Sequence, residues 1–190
     1  GASHEDGLAD TADGLGGSGD RARALETMKD SRLGSYGALA LVLALAAKCA
    51  LLAQIAVGQG VWAAPAALVA AHVLSRFMPL VLIRFLPHVG DSGQSKSKPL
   101  ADAISHGALF AGLLWTVPAL ALLSVAHGPL RAVAAVAVAL LAAAWVARLL
   151  WRRLQGFTGD GLGAVQQLSE MAIYLALAWA MPGSWAAWGA

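Results

Sequence analysis

Charge is what this sequence has least of. Asp, Glu, Lys and Arg make up 13% of its 190 residues and hydrophobic residues 58%, far outside the composition of soluble domains. Membrane insertion is the direct reading. Cysteine is nearly absent: Cys49 stands alone inside an apolar run, which excludes a disulfide framework and a thiolate metal site. Acids are missing from most of the chain, because seven of the eleven Asp and Glu (Glu5, Asp6, Asp10, Asp13, Asp20, Glu26, Asp30) fall in the first thirty residues. The thirteen basic residues form no patch with interleaved aromatics and mostly flank apolar runs, so nucleic acid is not an expected partner. No methionine opens the chain and no apolar leader precedes the motif at His4. The expectation is a fragment of a longer chain.

Five apolar stretches, near 34–57, 61–86, 102–126, 129–151 and 163–185, each reach the roughly 20 residues that a helix rising about 1.5 Å per residue needs to span a bilayer. Ala and Leu dominate them, and no ten-residue alternation of a lipid-facing barrel strand appears. The expected fold is all-α: a polytopic integral-membrane helical bundle with about five spans (34–190), preceded by a cytoplasmic acidic helical segment (1–33). Residues 87–99, rich in Gly, Ser and Pro, read as the one long loop. Arg21, Arg23, Lys29, Arg32, Arg84, Lys96, Lys98, Arg148, Arg152 and Arg153 fall on alternate connections, with Arg131 alone on the other side. Ten against one places the acidic segment in the cytoplasm. Trp62, Trp151, Trp185 and Trp188 fall near span ends, as an interfacial belt requires, and Trp115 and Trp145 lie deeper.

In the acidic segment Asp6, Asp10 and Asp13 stand at i, i+4 and i+7, one face of a helix, with Glu5 beside them. Like charges that close repel. Carboxylates with no Cys and at most one His suit a hard cation, Mg²⁺ or Mn²⁺, better than zinc. Lys29 and Arg32 add cationic partners for a diphosphate; ordinary positive-inside anchoring is the competing reading. Gly7, Gly14, Gly16 and Gly17 interleave with the acids, as backbone approaching a phosphate or metal would need. A solvated acidic surface helix is the plain alternative for the whole segment.

The run from His4 to Gly17 (His4-Glu5-Asp6-Gly7-Leu8-Ala9-Asp10-Thr11-Ala12-Asp13-Gly14-Leu15-Gly16-Gly17), continued by Met28-Lys29-Asp30-Ser31-Arg32-Leu33-Gly34-Ser35-Tyr36-Gly37, closely resembles the cobalamin synthase family, the adenosylcobinamide-GDP ribazoletransferases. Thr158-Gly159-Asp160-Gly161-Leu162-Gly163-Ala164, with Glu170 beyond it, is similar to the family's second block. The resemblance covers essentially the whole chain. It departs at Gln167, where many members carry an acid, and along 91–95. It implies a membrane enzyme, in the inner membrane of a bacterial or archaeal cell, with further spans ahead of the acidic block. The implied reaction moves the adenosylcobinamide phosphate moiety from adenosylcobinamide-GDP to α-ribazole or its 5′-phosphate and releases GMP. On that model Asp6, Asp10, Asp13 and Asp160 hold Mg²⁺ or Mn²⁺, Glu5 and Asp13 are the catalytic carboxylates, and the lipid bilayer and a homo-oligomer are further partners.

Arg76, beside Ser75 and one turn after His72, lies inside the second predicted span, where an unpaired guanidinium costs several kcal/mol. Contact with substrate phosphate or the acidic cluster competes with snorkelling to the headgroups. Lys48 can snorkel the other way. Glu170, with Gln166 one turn earlier, is too deep to face lipid; metal, substrate or a neighbouring helix are its candidate partners. His106 and His127 read as interfacial. Two other functions compete. Asp10-Thr11-Ala12-Asp13-Gly14 opens like the motif of the CDP-alcohol phosphotransferases, but Gly16-Gly17 follows where that motif continues with Ala-Arg, and no second acid pair comes later. A transporter would use Arg76, Lys48 and Glu170 as a path, yet the acids concentrate outside the spans.

Overall fold

The computed structural model describes residues 2–89 and 104–179. Lys96, Lys98, Trp185, Trp188, residues 90–99 of the predicted loop and the last residues of the fifth predicted span lie outside them. Seven helices are described: α1 (Ser3–Gly17), α2 (Arg21–Lys29), α3 (Ser35–Gln59), α4 (Ala63–Phe85), α5 (His106–His127), α6 (Pro129–Leu154) and α7 (Gly159–Trp179). Their ends follow from local chemistry. Asp20 caps α2 by accepting from the Arg23 amide at 3.1 Å, and Ser105 caps α5 by accepting from Ala108 at 3.1 Å. Pro129 opens α6, where no amide donor is needed. Gly60 and Gly128 make the tight α3–α4 and α5–α6 turns at φ of 97° and 89°, a region that a side chain would strain.

Helices α3 to α6 are each long and apolar enough to cross a membrane. The chain is therefore a multi-pass membrane protein with an all-helical bundle. Its outward faces are apolar: Leu43 is 66% exposed, Trp115 73% and Val125 88%, as lipid contact requires. Inside, Ala132, Ala135, Ala139 and Ala143 form a buried small-residue stripe on α6, and small side chains are what let membrane helices approach closely.

Helix α7 occupies the fifth predicted stretch and differs in kind from the other four. It is the inner helix, with α1, α3, α4 and α6 against it and Gln166, Gln167, Ser169 and Glu170 all buried. A helix shielded from lipid by its neighbours can carry such residues, which is why its composition falls short of an ordinary span. Helix α1 lies against both α3 and α7, its middle buried through Gly7, Leu8, Ala9, Thr11, Asp13 and Gly14. Asp13 meets the start of α3 at Gly34 and Gly37, whereas Glu5 meets Gln167, which in turn touches Lys48 farther along α3. So α1 runs antiparallel to α3, and its first turn reaches inward along the bundle.

The basic end of the bundle is knitted together. Arg21 donates to the Leu154 carbonyl at 2.7 Å, and the Arg153 guanidinium donates to the Ser18 carbonyl. Val89 donates to the Phe157 carbonyl and Phe157 to that of Pro87, both at 2.9 Å, joining the segment after α4 to the segment before α7. The described members of the basic set thus gather at the end where α1 and α2 sit, and Arg131 follows the Gly128 turn at the other.

The crossing of α1 and α7 depends on two missing side chains. A Cβ on Gly7 would lie 2.7 Å from the Asp160 carbonyl oxygen, and one on Gly163 would lie 3.0 Å from the His4 carbonyl oxygen and 3.2 Å from the Gly7 Cα. Both meet backbone, which cannot step aside. Gly7→Ala therefore costs about 1–3 kcal/mol by overpacking. Gly17→Ala, whose Cβ meets nothing within 4 Å, serves as the control and is neutral or stabilising by up to about 1 kcal/mol. Thermal unfolding of the two variants in detergent checks the difference; equal midpoints would refute it.

Candidate active site

The first block folds as expected into a helix, with Asp6, Asp10 and Asp13 along one side. The α1–α7 crossing then adds Asp160, from the first turn of α7, which Thr158 caps by accepting from the Gly161 amide at 3.0 Å. The two sequence blocks, some 150 residues apart, meet here. Their charges act on one another. Asp10 is pushed from the ordinary 3.8 to about 6, first by burial and then by Asp160, Asp6 and Asp13. Asp160 is also raised, by burial foremost and by Asp6, against the pull of its own backbone amide. Among the described residues no group of three or more acidic, His or Cys side chains is arranged to hold a metal ion. What the structure brings together is a set of carboxylates within electrostatic reach of one another.

Asp13 is placed differently. Its Oδ2 accepts from the Gly34 amide at 2.8 Å and its Oδ1 from the Gly37 amide at 2.9 Å. Both are at the N-terminus of α3, where amides lack helical partners and the dipole favours an anion. This carboxylate is 8% exposed. It is a cap supplied from another helix, and Gly34 and Gly37 leave room for it: a Cβ on either would collide with the carboxylate.

Glycines that the sequence reading assigned to phosphate or metal approach turn out to admit protein neighbours. Gly7 admits Asp160, Gly14 admits Met28 and the Ala24 carbonyl of α2, and Gly16 admits the ring of Tyr36. Only Gly17 faces open space. Contacts within the protein account for Gly7, Gly14 and Gly16, and Gly17 has none.

The basic candidates are spread. Arg32, its side chain 87% exposed, forms a fork with Asp30 through Nε and Nη2, the shortest contact 2.6 Å. That pairing holds the Asp30 carboxyl down at about 2. Lys29 ends α2, exposed at the same rim. Arg76 is exposed on α4 and donates to the His72 carbonyl at 2.9 Å. It lies close enough to His4 to help lower that imidazole's pKa, after burial and against Glu5 and Glu170. Ser75 points the other way: it is fully buried, and its hydroxyl accepts from Gln166 at 2.9 Å. Glu170, 2% exposed, is held within the bundle by Tyr174, Gln166 and Lys48. Lys48 and Glu170 pair with each other, so two of the three groups of the transporter reading are already engaged.

The sequence reading missed the partners of Gln167 and the polar tie at the opposite end, where Gln59 contacts His127 Nδ1 at 2.7 Å and donates to the Leu177 carbonyl at 2.9 Å. His127, expected at an interface, is 6% exposed. The signal for Gln167 was present: two consecutive glutamines inside an apolar run need partners at that depth.

Fold and site define a polytopic helical membrane protein with an acid-rich centre near the basic end of its bundle. The family model for cobalamin-5-phosphate synthase matches residues 1–178, and the chain belongs to that family. A curated relative from a Polaromonas species is 53% identical over 187 residues, 92% of this chain and 66% of its own length. One from Albidiferax ferrireducens is 54% identical over 192 residues (94% and 68%), and one from Vibrio parahaemolyticus 44% over 177 (93% and 64%). All three are named adenosylcobinamide-GDP ribazoletransferase. The chain spans about two thirds of the length of these relatives. No solved structure matches it.

Two tests separate the carboxylates. Asp13→Ala leaves two helix-end amides, the Gly37 one buried, without their acceptor and lowers stability by about 1–3 kcal/mol, read by thermal unfolding; an unchanged midpoint would remove the cap assignment. Asp10 behaves oppositely. A carboxyl raised in the fold favours the folded state while protonated, fully below about pH 4, and that contribution is lost as pH rises through about 6. In cation-free buffer the midpoint of Asp10→Asn minus that of the parent should grow between pH 4 and 7. A constant difference would count against the crowding.

Proposed function

We propose that the protein transfers the adenosylcobinamide phosphate moiety from adenosylcobinamide-GDP to α-ribazole or its 5′-phosphate, releasing GMP and forming adenosylcobalamin or its 5′-phosphate. Its site faces the cytoplasm, in keeping with the ten-to-one basic asymmetry. The family membership and the relatives' names support the reaction. The observation that carries the site is the meeting of Asp6 and Asp10 with Asp160 across the α1–α7 crossing, where Asp160 and Asp6 both push the Asp10 carboxyl upward. An oxygen-only donor set of that kind fits a hard divalent cation, Mg²⁺ or Mn²⁺.

Asp6, Asp10 and Asp160 are the residues assigned to hold it. We assign Asp13 to anchoring α3, since both its oxygens are engaged. A divalent cation supplies neutralisation of the diphosphate. The chain's own groups do the rest. The ribose hydroxyl attacks the corrinoid-side phosphorus, a P–O bond forms there, and the bond to GMP breaks. Glu5, whose Oε1 is held by Gln167 at 3.1 Å, takes the hydroxyl proton on its other oxygen. Arg76 is the cation placed for the departing phosphate, with Lys29 and Arg32 at the rim attracting the diphosphate. The exposed Arg32–Asp30 pair is worth little and exchanges easily.

Membranes containing the full-length protein, given adenosylcobinamide-GDP, α-ribazole and Mg²⁺, should yield a cobalamin and GMP. Asp10→Asn and Asp160→Asn should each lower turnover at least about 100-fold and shift the Mg²⁺ requirement upward, with expression and unfolding midpoint retained. Parent-like turnover in both variants would sink the cation assignment. No cobalamin from the parent protein would sink the reaction.

A further inference from the structure

Apart from the carboxylate cluster, the structure holds a second polar system deeper in the bundle, which the reaction as proposed does not use. Glu170 is at its centre. Its Oε1 accepts from the Tyr174 hydroxyl at 2.8 Å and lies 3.5 Å from His72 Nδ1; its Oε2 accepts from Gln166 at 2.8 Å and lies 3.2 Å from Lys48 Nζ. Gln166 also donates to Ser75 at 2.9 Å. Gln167 closes the set: its Oε1 accepts from Lys48 at 2.5 Å, and its Nε2 donates to Gln166 Oε1 at 2.9 Å and to Glu5 Oε1 at 3.1 Å. Glu170, Gln166, Gln167 and Ser75 are each no more than 2% exposed.

The direction of these bonds is forced. An ammonium has donors only, so Gln167 must turn its oxygen toward Lys48. Its amide nitrogen then has to face Glu5 and Gln166. The opposite rotamer would set an NH₂ against the ammonium and an oxygen against a carboxylate. Lys48 thereby helps fix the Gln167 amide, and Gln167 carries the network into α1 through its bond to Glu5. Lys48 is in turn held by Glu170, a pairing that would be costly at this depth without the Tyr174 and Gln166 bonds.

We propose that Lys48 and Gln167 are positioning residues for Glu5: the buried pair orients the amide, and the amide pins one oxygen of Glu5 so that the other is presented at the acidic face. This rests on the reading of Glu5 as the base. Its structural part, that Gln167 anchors the first turn of α1, does not.

The test uses the full-length protein in detergent or nanodiscs and two readouts. Hydrogen–deuterium exchange of the peptide covering residues 3–8 reports the anchor whatever the reaction is. In Gln167→Leu it should quicken at least about 5-fold, with exchange in α6 unchanged. In the transfer assay the same variant should lose about 10–100-fold in kcat, with KM for adenosylcobinamide-GDP within about 2-fold, the pattern of misplacement rather than lost binding. Lys48→Arg, still a pure donor, should keep kcat within about 3-fold. Lys48→Met combined with Glu170→Gln, which leaves no buried charge unpaired, should lose as much as Gln167→Leu, and joining all three changes should lose no more. Unchanged exchange in Gln167→Leu, additive losses, or a raised KM at parental kcat would overturn the proposal, as would parental kcat in Glu5→Gln. Quickened exchange beside full activity of Asp10→Asn and Asp160→Asn would leave the anchor standing and remove the cation assignment alone.

Discussion

The approach of α1 to α7 sets the separation of every group at the site. With hydrogen in place of a side chain at Gly7 and Gly163, the two helices touch through backbone, and Asp160 arrives beside Asp6 and Asp10 rather than a side-chain diameter away. The same contact carries Glu5 to Gln167. Farther out, Gly14 lets α2 fold over α1, and α2 is tied to α6 by Arg21. The α1–α2 unit is thereby fixed on the bundle at three places, by α7, α3 and α6. In a membrane, where apolar burial gives helices little reason to associate, contact of this kind and hydrogen bonds across it supply the specificity.

Four carboxylates of the protein show how it neutralises an acid when the fold alone is to hold it. Asp13 receives two backbone amides, Asp30 a guanidinium, and Glu170 a phenol, an amide and an ammonium. Asp20 receives the amide of a helix end. Asp10 and Asp160 stand apart from this pattern, because the charged side chains that act on them are other carboxylates: Asp160, Asp6 and Asp13 on Asp10, and Asp6 on Asp160. Ordinary structural demands rarely bring carboxylates within electrostatic reach of one another. That contrast within one molecule supports the cation reading more firmly than acid content does, since acid content alone is equally satisfied by a solvated helix.

The helical membrane fold was legible because hydropathy over some 20 residues is a strong signal, and the acidic face because i, i+4, i+7 spacing has one meaning on a helix. Asp160 was legible only through resemblance; nothing local ties it to Asp10. Three structural features were not legible for a common reason. The glycines of the first block, the buried hydroxyl of Ser75 and the cap formed by Asp13 depend on what lies opposite in space, and sequence spacing within one helix carries no information about the facing helix. Helix α7 is the intermediate case. Its glutamines and Glu170 announced an inward face, but the partner of each could not be named until α3, α4 and α1 were in place.

The buried Lys48–Glu170 pair poses an energetic question that the fold by itself does not answer. An apolar pair of similar volume would fill the same space without desolvating two charges, and replacements of that sort are often neutral or stabilising. Tyr174 and Gln166 are committed to satisfying this one pair, and Ser75 in turn accepts from Gln166, which makes the arrangement an expensive way of joining α3 to α7. It becomes economical if the ammonium serves to orient an amide. A hydrophobic residue at 48 would join the helices equally well, but it would leave the orientation of the Gln167 amide to Gln166 Oε1 and Glu5 alone. A donor with no acceptor capacity on the oxygen side completes that orientation, and an ammonium at this depth requires an acid beside it. The chain of dependence therefore runs outward from Glu170, through Lys48 and Gln167, to a carboxylate at the edge of the acidic face.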